Sequence, residues 1–284
     1  MIVNDRQRAL AEQFLALHRM QRPFVLANCW DVVTALLFAR EGFPAIGTSS
    51  YATAAALGWR DGEHDILKDT VDLVRRLVQR VGLPVSADIE SGYAETVEGV
   101  VRSAGEVFSA GAVGLNIEDS TGDRERPFYD RVFQCEKIGA IREMADKAGF
   151  HPVINARTDT FLLPVEDRRL QLRRTIERGR SYVEAGADCV FVPDMGDLGV
   201  DELRHLIDGI GAPLNVVAGP STPPMKTLEE IGIVRVSLGP RALRAALGTY
   251  KGIAREILDR GTFTKMTSGA LSYDETNRLL AERL

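Results

Sequence analysis

PVSADIESGY, residues 84–93, passes from a short apolar run into two acidic residues and a glycine. Its first half predicts a buried parallel strand, which Pro84 can begin because no ladder hydrogen bond is lost there. Side chains two positions apart on a strand share a face, so we expect Asp88 and Glu90 to lie side by side. No lysine or arginine within the stretch offsets these carboxylates, and burying them unpaired is costly. The pattern predicts a hard divalent cation such as Mg²⁺, with a solvated acidic turn as the alternative.

Seven further apolar runs occur along the chain, and stretches of helical character separate them. The eight predicted strands lie within residues 23–30, 45–50, 84–93, 111–119, 151–159, 188–193, 213–219 and 233–240. Strands that alternate with helices indicate parallel strands joined by crossover helices, and eight such units predict a (β/α)8 TIM barrel. A doubly wound open sheet is the alternative, although no Gly-x-Gly-x-x-Gly motif follows the first strand.

The barrel should span about residues 20–245, and a helical tail should follow over about 246–284. Apolar residues such as Leu271, Tyr273 and Leu280 on this tail need a surface to cover them, either on their own barrel or on a second subunit. No repeat, low-complexity run or linker marks a second domain, so we expect residues 1–284 to form one domain.

The composition narrows the class of partner. The net charge is −5 and no basic stripe occurs, which argues against nucleic acid. No apolar run approaches the roughly 20 residues of a membrane span, and the polar N-terminus does not resemble a signal peptide. Cys29, Cys135 and Cys189 are too few and too scattered for a disulfide framework or a zinc site. We therefore expect a cytoplasmic protein that acts on a small molecule.

Polar residues collect where the predicted strands end, which is where TIM barrels carry their chemistry. They are Asn28 and Asp31 after the first strand, Thr48, Ser49 and Ser50 on the second, Asp88 and Glu90 on the third, Glu118 and Asp119 on the fourth, and Arg157 and Asp159 on the fifth. This asymmetry predicts a site for a metal and an anionic substrate. The loops over 219–222 and 237–240 fall where many barrels hold a phosphate, although ordinary turns explain them equally well.

Several of these residues have a structural interpretation as well. Glu118 could be part of a helix N-cap, and Arg157 could pair with Glu118 or Asp159 without touching a ligand. The segment 48–50 could be a plain turn, or its backbone amides could hold a carboxylate. Asp61 is most simply a solvated loop acid.

Two residue types are missing from the predicted strands. All six lysines lie outside them, which argues against a Schiff-base aldolase. The four histidines fall on helices, in a loop or at a strand start, so a histidine metal cluster is not expected and the metal should be bound by oxygen.

Seven short motifs resemble, in order and spacing, those of the isocitrate lyase and phosphoenolpyruvate mutase superfamily. They are NCWD (28–31), GTSS (47–50), LGWRDG (57–62), SADIESGY (86–93), GLNIEDS (114–120), NARTD (155–159) and AGAD (185–188). The resemblance covers about residues 20–245, and SYDETNRLL (272–280) in the tail is similar to the family's ending.

The resemblance implies a barrel that binds Mg²⁺, or alternatively Mn²⁺, and a small 2-oxo or 2-hydroxy carboxylate. It implies that Asp88 is the direct metal ligand and that Asp61, Glu90 and Glu118 bind the metal through water. The substrate would be held by Thr48, Ser49, Ser50, Asn116 and Arg157, and the candidate catalytic residues are Arg157, Asp61 and Glu118. The family also suggests a homotetramer in which helices are exchanged between subunits.

The segment that selects the reaction departs from the family's pattern. The lyases carry a Lys-Lys/Arg-Cys-Gly-His loop after the fourth strand, whereas residues 121–137 here read TGDRERPFYDRVFQCEK. Cys135 falls near the predicted start of a helix over about 134–148, where a thiol pKa would drop, but we favour a packing role for it. The sixth strand ends FVPD, with Asp194 one place from the lyases' glutamate.

Three functions are consistent with these residues. The leading hypothesis is a Mg²⁺-dependent lyase that cleaves a C–C bond or decarboxylates its substrate through a metal-stabilised enolate. The second is a phosphonate mutase or hydrolase similar to phosphoenolpyruvate or carboxyphosphonoenolpyruvate mutase, with Arg124, Arg126 and Arg131 as its cations. The third is a barrel that binds a carboxylate without turnover.

Overall fold

Eight parallel strands close into a barrel in which each strand pairs with the next and the last pairs with the first. The computed structural model describes residues 3–62, 65–123, 125–162, 167–194 and 198–281. The strands are β1 (Phe24–Cys29), β2 (Ile46–Thr48), β3 (Val85–Asp88), β4 (Gly114–Glu118), β5 (Val153–Arg157), β6 (Cys189–Phe191), β7 (Leu214–Val217) and β8 (Arg235–Ser237). The predicted (β/α)8 barrel is confirmed, and the doubly wound sheet is excluded.

Helices connect the strands and cover the outside of the barrel. They are α1 (Asp5–Leu17), α2 (Val32–Arg40), α3 (Ser50–Ala56), α4 (Leu67–Arg80), α5 (Val97–Ser109), α6 (Arg131–Lys147), α7 (Arg168–Glu184), α8 (Val200–Ile210), α9 (Met225–Ile231), α10 (Arg241–Arg260), α11 (Thr264–Thr267) and α12 (Tyr273–Ala281). In α4, Val71, Val74 and Leu77 recur every three residues and are buried, whereas Arg75 and Arg76 face solvent. This spacing gives the helix one apolar face, which packs against the barrel.

The interior of the barrel is polar. Side chains of Ser86, Asn116, Asn155, Asn215 and Ser237 are buried there. Four of them bond in pairs: Asn155 Nδ2 donates to Asn116 Oδ1 at 2.9 Å, and Asn215 Nδ2 donates to Ser237 Oγ at 3.0 Å, whereas Asn155 Oδ1 has no partner among the described residues. Barrel interiors are usually filled by branched apolar residues, and buried polar groups are costly unless they are hydrogen-bonded. The polar filling therefore indicates that the ligand site reaches deep between the strands.

Helix α1 closes the N-terminal mouth of the barrel. The ring of Phe14 is fully buried and packs edge-on against His18 and Phe24, with ring centroids 4.8 and 6.2 Å away. Gly114, the first residue of β4, makes room for it, since a Cβ at Gly114 would stand 2.7 Å from Phe14 Cε1. An apolar plug thus seals the floor beneath the polar interior.

Two element ends differ from the sequence-based expectation. β3 ends at Asp88, and Glu90 follows in a turn with a positive φ of 50°, so strand alternation is not what brings the two acids together. α6 begins at Arg131 and not near 134, which places Cys135 in the second turn of the helix. No helix in the described part of the chain is both long and apolar enough to cross a membrane.

Candidate active site

One cavity of about 250 Å³ opens at the C-terminal end of the barrel, and every strand contributes to its wall. From the strands themselves its lining includes Leu26, Asn28, Gly47, Thr48, Ser86, Asp88, Asn116, Arg157, Phe191, Val217, Arg235 and Ser237. Beyond the strand ends it is lined by Ser49, Ser50, Tyr51, Asp61, Leu162, Pro193, Asp194, Gly239, Pro240, Arg241 and Arg244. The structure therefore brings together at one cavity all five predicted substrate-binding residues.

Asp88 is the most tightly positioned acid of the cavity. Its Oδ1 accepts from Asn116 Nδ2 at 2.9 Å, and its Oδ2 accepts from the Ser50 backbone N–H at 2.8 Å. Its own N–H donates to Thr48 Oγ1 at 2.8 Å. Because both carboxylate oxygens and the backbone are held, Asp88 presents a fixed carboxylate at the wall of the cavity.

The predicted amide cradle has a second role. Ser49 is the N-cap of α3, and its hydroxyl accepts from the Ala52 N–H at 3.3 Å. The Ser50 amide and the Thr48 hydroxyl both bond to Asp88. The segment 48–50 is therefore not a plain turn: it lines the cavity and also orients the candidate metal ligand.

Arg157 is held by two carboxylates. Its Nε and Nη2 bond to the two oxygens of Asp159 at 2.5 and 2.9 Å, and its Nη1 lies 2.9 Å from Glu118 Oε2. Burial opposes the charge, but Asp159 and Glu118 outweigh it and raise the pKa of Arg157 well above its ordinary value. A guanidinium has five N–H donors, so three bonds leave two for a ligand. Arg157 can therefore pair with Glu118 and Asp159 and still bind a substrate carboxylate.

The other acids of this region are crowded. Burial, and then the charge of Asp88, raise the pKa of Glu90 to about 7. The same two causes raise the pKa of Asp61, and burial raises the pKa of Glu118 well above its usual range despite the neighbouring Arg157. Asp61 is exposed, as expected of a loop acid, but it also lines the cavity. Crowded carboxylates with raised pKa values are what a bound cation would relieve.

These acids do not form a closed metal cage. Within the described ranges, no three His, Cys, Asp or Glu side chains converge closely enough to hold one ion. Of the four predicted ligands, Asp88 and Asp61 line the cavity, whereas Glu90 and Glu118 are absent from the lining that the described residues form. This donor set fits Mg²⁺ bound directly by Asp88 with most of its waters retained, as Mg²⁺ prefers. Of the four histidines of the chain, His64 lies outside the described residues.

The segment after β4 is tied down away from the cavity. Asp119 is fully buried and accepts from Arg178, from the Tyr182 hydroxyl and from the Asp159 N–H. Arg178 also donates to the Tyr129 carbonyl oxygen at 3.0 Å. Asp119 thus links the reaction-selecting segment to β5 and α7, a role that its sequence position alone did not indicate.

Two of the three cations proposed for a phosphonate substrate, Arg126 and Arg131, are not at the cavity. Arg126 is largely exposed and lies 3.8 Å from Asp123, and Arg131 donates to Ser181 Oγ on α7. Neither belongs to the described lining of the cavity, and Arg124 lies outside the described residues.

Cys135 packs against α7. Its Sγ lies 3.5 Å from the Ser181 carbonyl oxygen, and burial raises its pKa. The expectation that a helix start would lower this pKa is wrong because α6 begins a full turn earlier.

Comparison with known proteins gives a consistent result. The sequence profile of the phosphoenolpyruvate phosphomutase family matches residues 14–258. The 2-methylisocitrate lyase of Escherichia coli is 30% identical over 278 residues, covering 93% of this chain and 91% of that protein. A crystal structure from Burkholderia cenocepacia J2315 superposes with a TM-score of 0.90 at 36% identity, covering 98% of each chain. A phosphonopyruvate hydrolase solved with oxalate and Mg²⁺ shares the fold, with a TM-score of 0.83 at 21% identity over 95% of this chain and 94% of that one.

Proposed function

The chain belongs to the phosphoenolpyruvate phosphomutase family and is an enzyme, and from that premise we propose that it is a Mg²⁺-dependent lyase acting on a small 2-oxo or 2-hydroxy carboxylate. The observation that carries the proposal is Asp88, held on three sides by Thr48, Ser50 and Asn116 and presented to a cavity that Arg157 also lines. A carboxylate in a fixed position beside a guanidinium suits a substrate that binds through both a metal and a cation.

The roles of the chain's own residues follow from their contacts. Asp88 would hold Mg²⁺ directly, with Asp61, Glu90 and Glu118 accepting from its waters. The ion, when bound, supplies a Lewis acid that stabilises the charge of an enolate. Arg157 orients the substrate carboxylate through the donors that Asp159 and Glu118 leave free, and Asn116 and the 48–50 segment complete the wall.

C–C bond chemistry is favoured over P–C chemistry because Arg126 and Arg131, two of the cations proposed for a phosphonate, do not line the cavity. The alignment with the 2-methylisocitrate lyase of Escherichia coli covers 93% of this chain. The thiol of those lyases' loop has no counterpart at the cavity wall that the described residues form. Isocitrate-type cleavage by a cysteine acid is therefore not the reaction proposed.

The test is a thermal-shift titration with oxalate in the presence and absence of Mg²⁺. We expect oxalate to stabilise the protein only with Mg²⁺, and Asp88→Ala to abolish that stabilisation while the protein stays folded. Glu12→Ala, which removes an exposed acid on α1 far from the cavity, is the matched control. Undiminished oxalate affinity in Asp88→Ala would refute the site.

Turnover assays then separate the three functions. Activity on oxaloacetate or 2-methylisocitrate would support the lyase, and activity on phosphonopyruvate would support the P–C alternative. Mg²⁺-dependent binding of oxalate without turnover of any of them would support the non-catalytic barrel.

We also propose that the protein is a homo-oligomer, a tetramer by its family resemblance. The supporting observation is α10, which buries only Leu243 and Glu256 among its 20 residues. A helix of that length with an uncovered apolar face is suited to pack on a second subunit.

A further inference from the structure

Lys137 is a buried cation that no step of the proposed reaction uses. It lies on the inner face of α6 and is fully buried. Among the described residues its ammonium forms no ion pair and one hydrogen bond, from Nζ to the Ser91 carbonyl oxygen at 3.1 Å. Burial lowers its pKa to about 8, against the opposing charges of Asp119 and Glu118. Burying an ammonium costs free energy that an apolar side chain of the same length would not, so the charge indicates a role other than packing.

The Ser91 carbonyl oxygen belongs to the turn that carries Glu90. Glu90 and Gly92, on either side of Ser91, have positive φ values of 50° and 106°. The turn packs on α5, since a Cβ at Gly92 would stand 2.6 Å from Val100 Cγ1. Lys137 supplies a second hold on it, from α6. Because such a backbone persists only where its surroundings enforce it, Lys137 is one of the contacts that place the Glu90 carboxylate.

The same ammonium contacts the segment that follows β4, residues 119–130. Its Nζ lies 4.1 Å from the centroid of the Tyr129 ring, within the range of a cation–π interaction. The Tyr129 N–H donates to the Asp119 carbonyl oxygen at 2.9 Å, and its own carbonyl oxygen accepts from Arg178 at 3.0 Å. Tyr129 is therefore fixed by its backbone and presents its ring to Lys137.

The Glu90 turn and the segment 119–130 also meet where they begin. The Glu118 N–H, at the end of β4, donates to the Glu90 carbonyl oxygen at 2.8 Å. The two loops are thus joined at one point by their backbones and at a second point by Lys137, and we expect them to shift together. None of the described residues of the segment 119–130 lines the cavity, so a ligand in the cavity can affect the segment only through such contacts.

We propose that Lys137 is a positioning residue that couples the metal side of the cavity to the segment 119–130. The inference rests on the proposed function, in which Glu90 accepts from the waters of Mg²⁺. Groups that orient metal ligands without touching the ion commonly change its affinity by about 10- to 100-fold. By linkage, a contact through which the segment helps to place Glu90 also lets a bound ion stabilise the segment. Metal binding then reaches, through one buried lysine, the segment whose sequence departs from that of the lyases.

The first test measures the affinity for Mg²⁺ by calorimetry with oxalate present. We expect Lys137→Met, which keeps the length of the side chain and removes its charge, to weaken Mg²⁺ binding at least about tenfold. In a Glu90→Gln background the same change should weaken it by less than about twofold, because Lys137 acts through Glu90. Lys147→Met, which changes an exposed lysine of the same helix, is the control and should leave the affinity unchanged. Undiminished affinity in Lys137→Met, or equal losses in the two backgrounds, would overturn the proposal.

The second test measures amide hydrogen exchange by mass spectrometry over residues 89–93 and 119–130, with β1 as the internal reference. In EDTA, Lys137→Met should speed exchange at least about tenfold in both regions and leave β1 unchanged, whereas Lys147→Met should change none of them. In the unaltered protein, Mg²⁺ with oxalate should slow exchange over 119–130. In Tyr129→Leu, which removes the ring and keeps the bond to Ser91, this slowing should disappear. Faster exchange in only one of the two regions, or slowing that survives Tyr129→Leu, would contradict the coupling.

The two proposals fail separately. If oxalate does not bind with Mg²⁺, the proposed function is refuted, and exchange in EDTA still decides whether Lys137 joins the two loops. If Lys137→Met does not fold, Tyr129→Leu carries the test alone.

Discussion

Glu90 and Tyr93 carry the backbone strain of the site. Both are non-glycine residues with positive φ, 50° and 53°, in the turn that follows β3. Such conformations cost on the order of 1 kcal/mol each and persist where the surroundings enforce them. Here the Tyr93 hydroxyl donates to Glu90 Oε1 at 3.0 Å, and the buried Lys137 donates to the Ser91 carbonyl oxygen at 3.1 Å. The turn, and not strand alternation, thus holds the Glu90 carboxylate near Asp88.

The raised pKa of Glu90 predicts a pH dependence of stability. The folded protein holds this proton up to about pH 7, whereas the unfolded chain releases it near the ordinary value of about 4.5. The contribution is therefore complete below pH 4.5 and is lost as the pH rises through 7. We expect the melting temperature in EDTA to fall between pH 5 and 7.5, and Glu90→Gln to reduce the slope.

The matched control for this prediction is Glu95→Gln, which changes an exposed acid five positions along the chain. It should leave the slope unchanged, and Mg²⁺ should restore the melting temperature of the unaltered protein at pH 7.5. An identical slope in Glu90→Gln and the unaltered protein would show that Glu90 is not the group that titrates.

At the scale of elements, α6 decides what Cys135 can do. The N-cap of α6 is Asp130, whose side chain accepts from the Val132 N–H at 2.8 Å, so Cys135 lies beyond the amides that would favour a thiolate. Its thiol faces α7, and Lys137, on the same helix, lies 4.1 Å from the centroid of the Tyr129 ring. The helix therefore supports the walls of the site without contributing a thiol to it.

We expect Cys135→Ser to keep most of the activity on whichever substrate is turned over. Arg157→Ala should lose most of it, because the guanidinium is at the cavity and the thiol is not. Steady-state rates of both variants, measured side by side, check this. A loss of more than about a hundredfold in Cys135→Ser, the scale of one general acid–base catalyst, would mean that the segment closes over the site with its cysteine inward.

At the scale of the molecule, the tail divides into two parts with different surroundings. α12 packs on α2 of its own chain and buries Leu279, as expected of a tail packed on its own barrel. α10 instead leaves Leu247, Tyr250 and Leu258 exposed by 53%, 68% and 84%. Their spacing of three and eleven positions places them on one face of the helix. The assembly surface is therefore expected on α10 and not at the end of the chain.

Light scattering separates these two parts. We expect the full chain to be oligomeric. A chain ending at Gly269 should keep the same number of subunits, because it retains α10. The double variant Leu247→Glu/Leu258→Glu should form assemblies of fewer subunits, since two buried charges at an interface are costly. A monomeric full-length protein would refute the exchange, and a truncated chain that dissociates would assign assembly to α12.

The barrel and half of the site were predictable because they depend on patterns that local physics imposes. Apolar runs separated by helical segments require parallel strands, and parallel strands bring Thr48, Asp88 and Asn116 to one end. The turn geometry of Glu90 was not predictable, because a positive φ at a glutamate comes from contacts with distant residues such as Lys137.

The three arginines Arg235, Arg241 and Arg244 in the cavity lining were not predicted, for a related reason. Arg241 and Arg244 begin a helix, and only the folded loops show that they face the cavity. Arg235 did leave a signal, since a lone arginine in the apolar run IVRVS of β8 alternates with side chains that face outward.

The plug of Phe14 beneath the barrel has a kinetic consequence. With the floor closed around Gly114, the C-terminal mouth is the opening through which ion, substrate and products all pass. The proposed lyase reaction would release two fragments, and a fragment seated deep in the cavity beside the buried Arg235 would leave only after the one nearer the mouth. Release is then ordered, and the inner fragment alone should act as a competitive product inhibitor, whereas the outer one should inhibit noncompetitively.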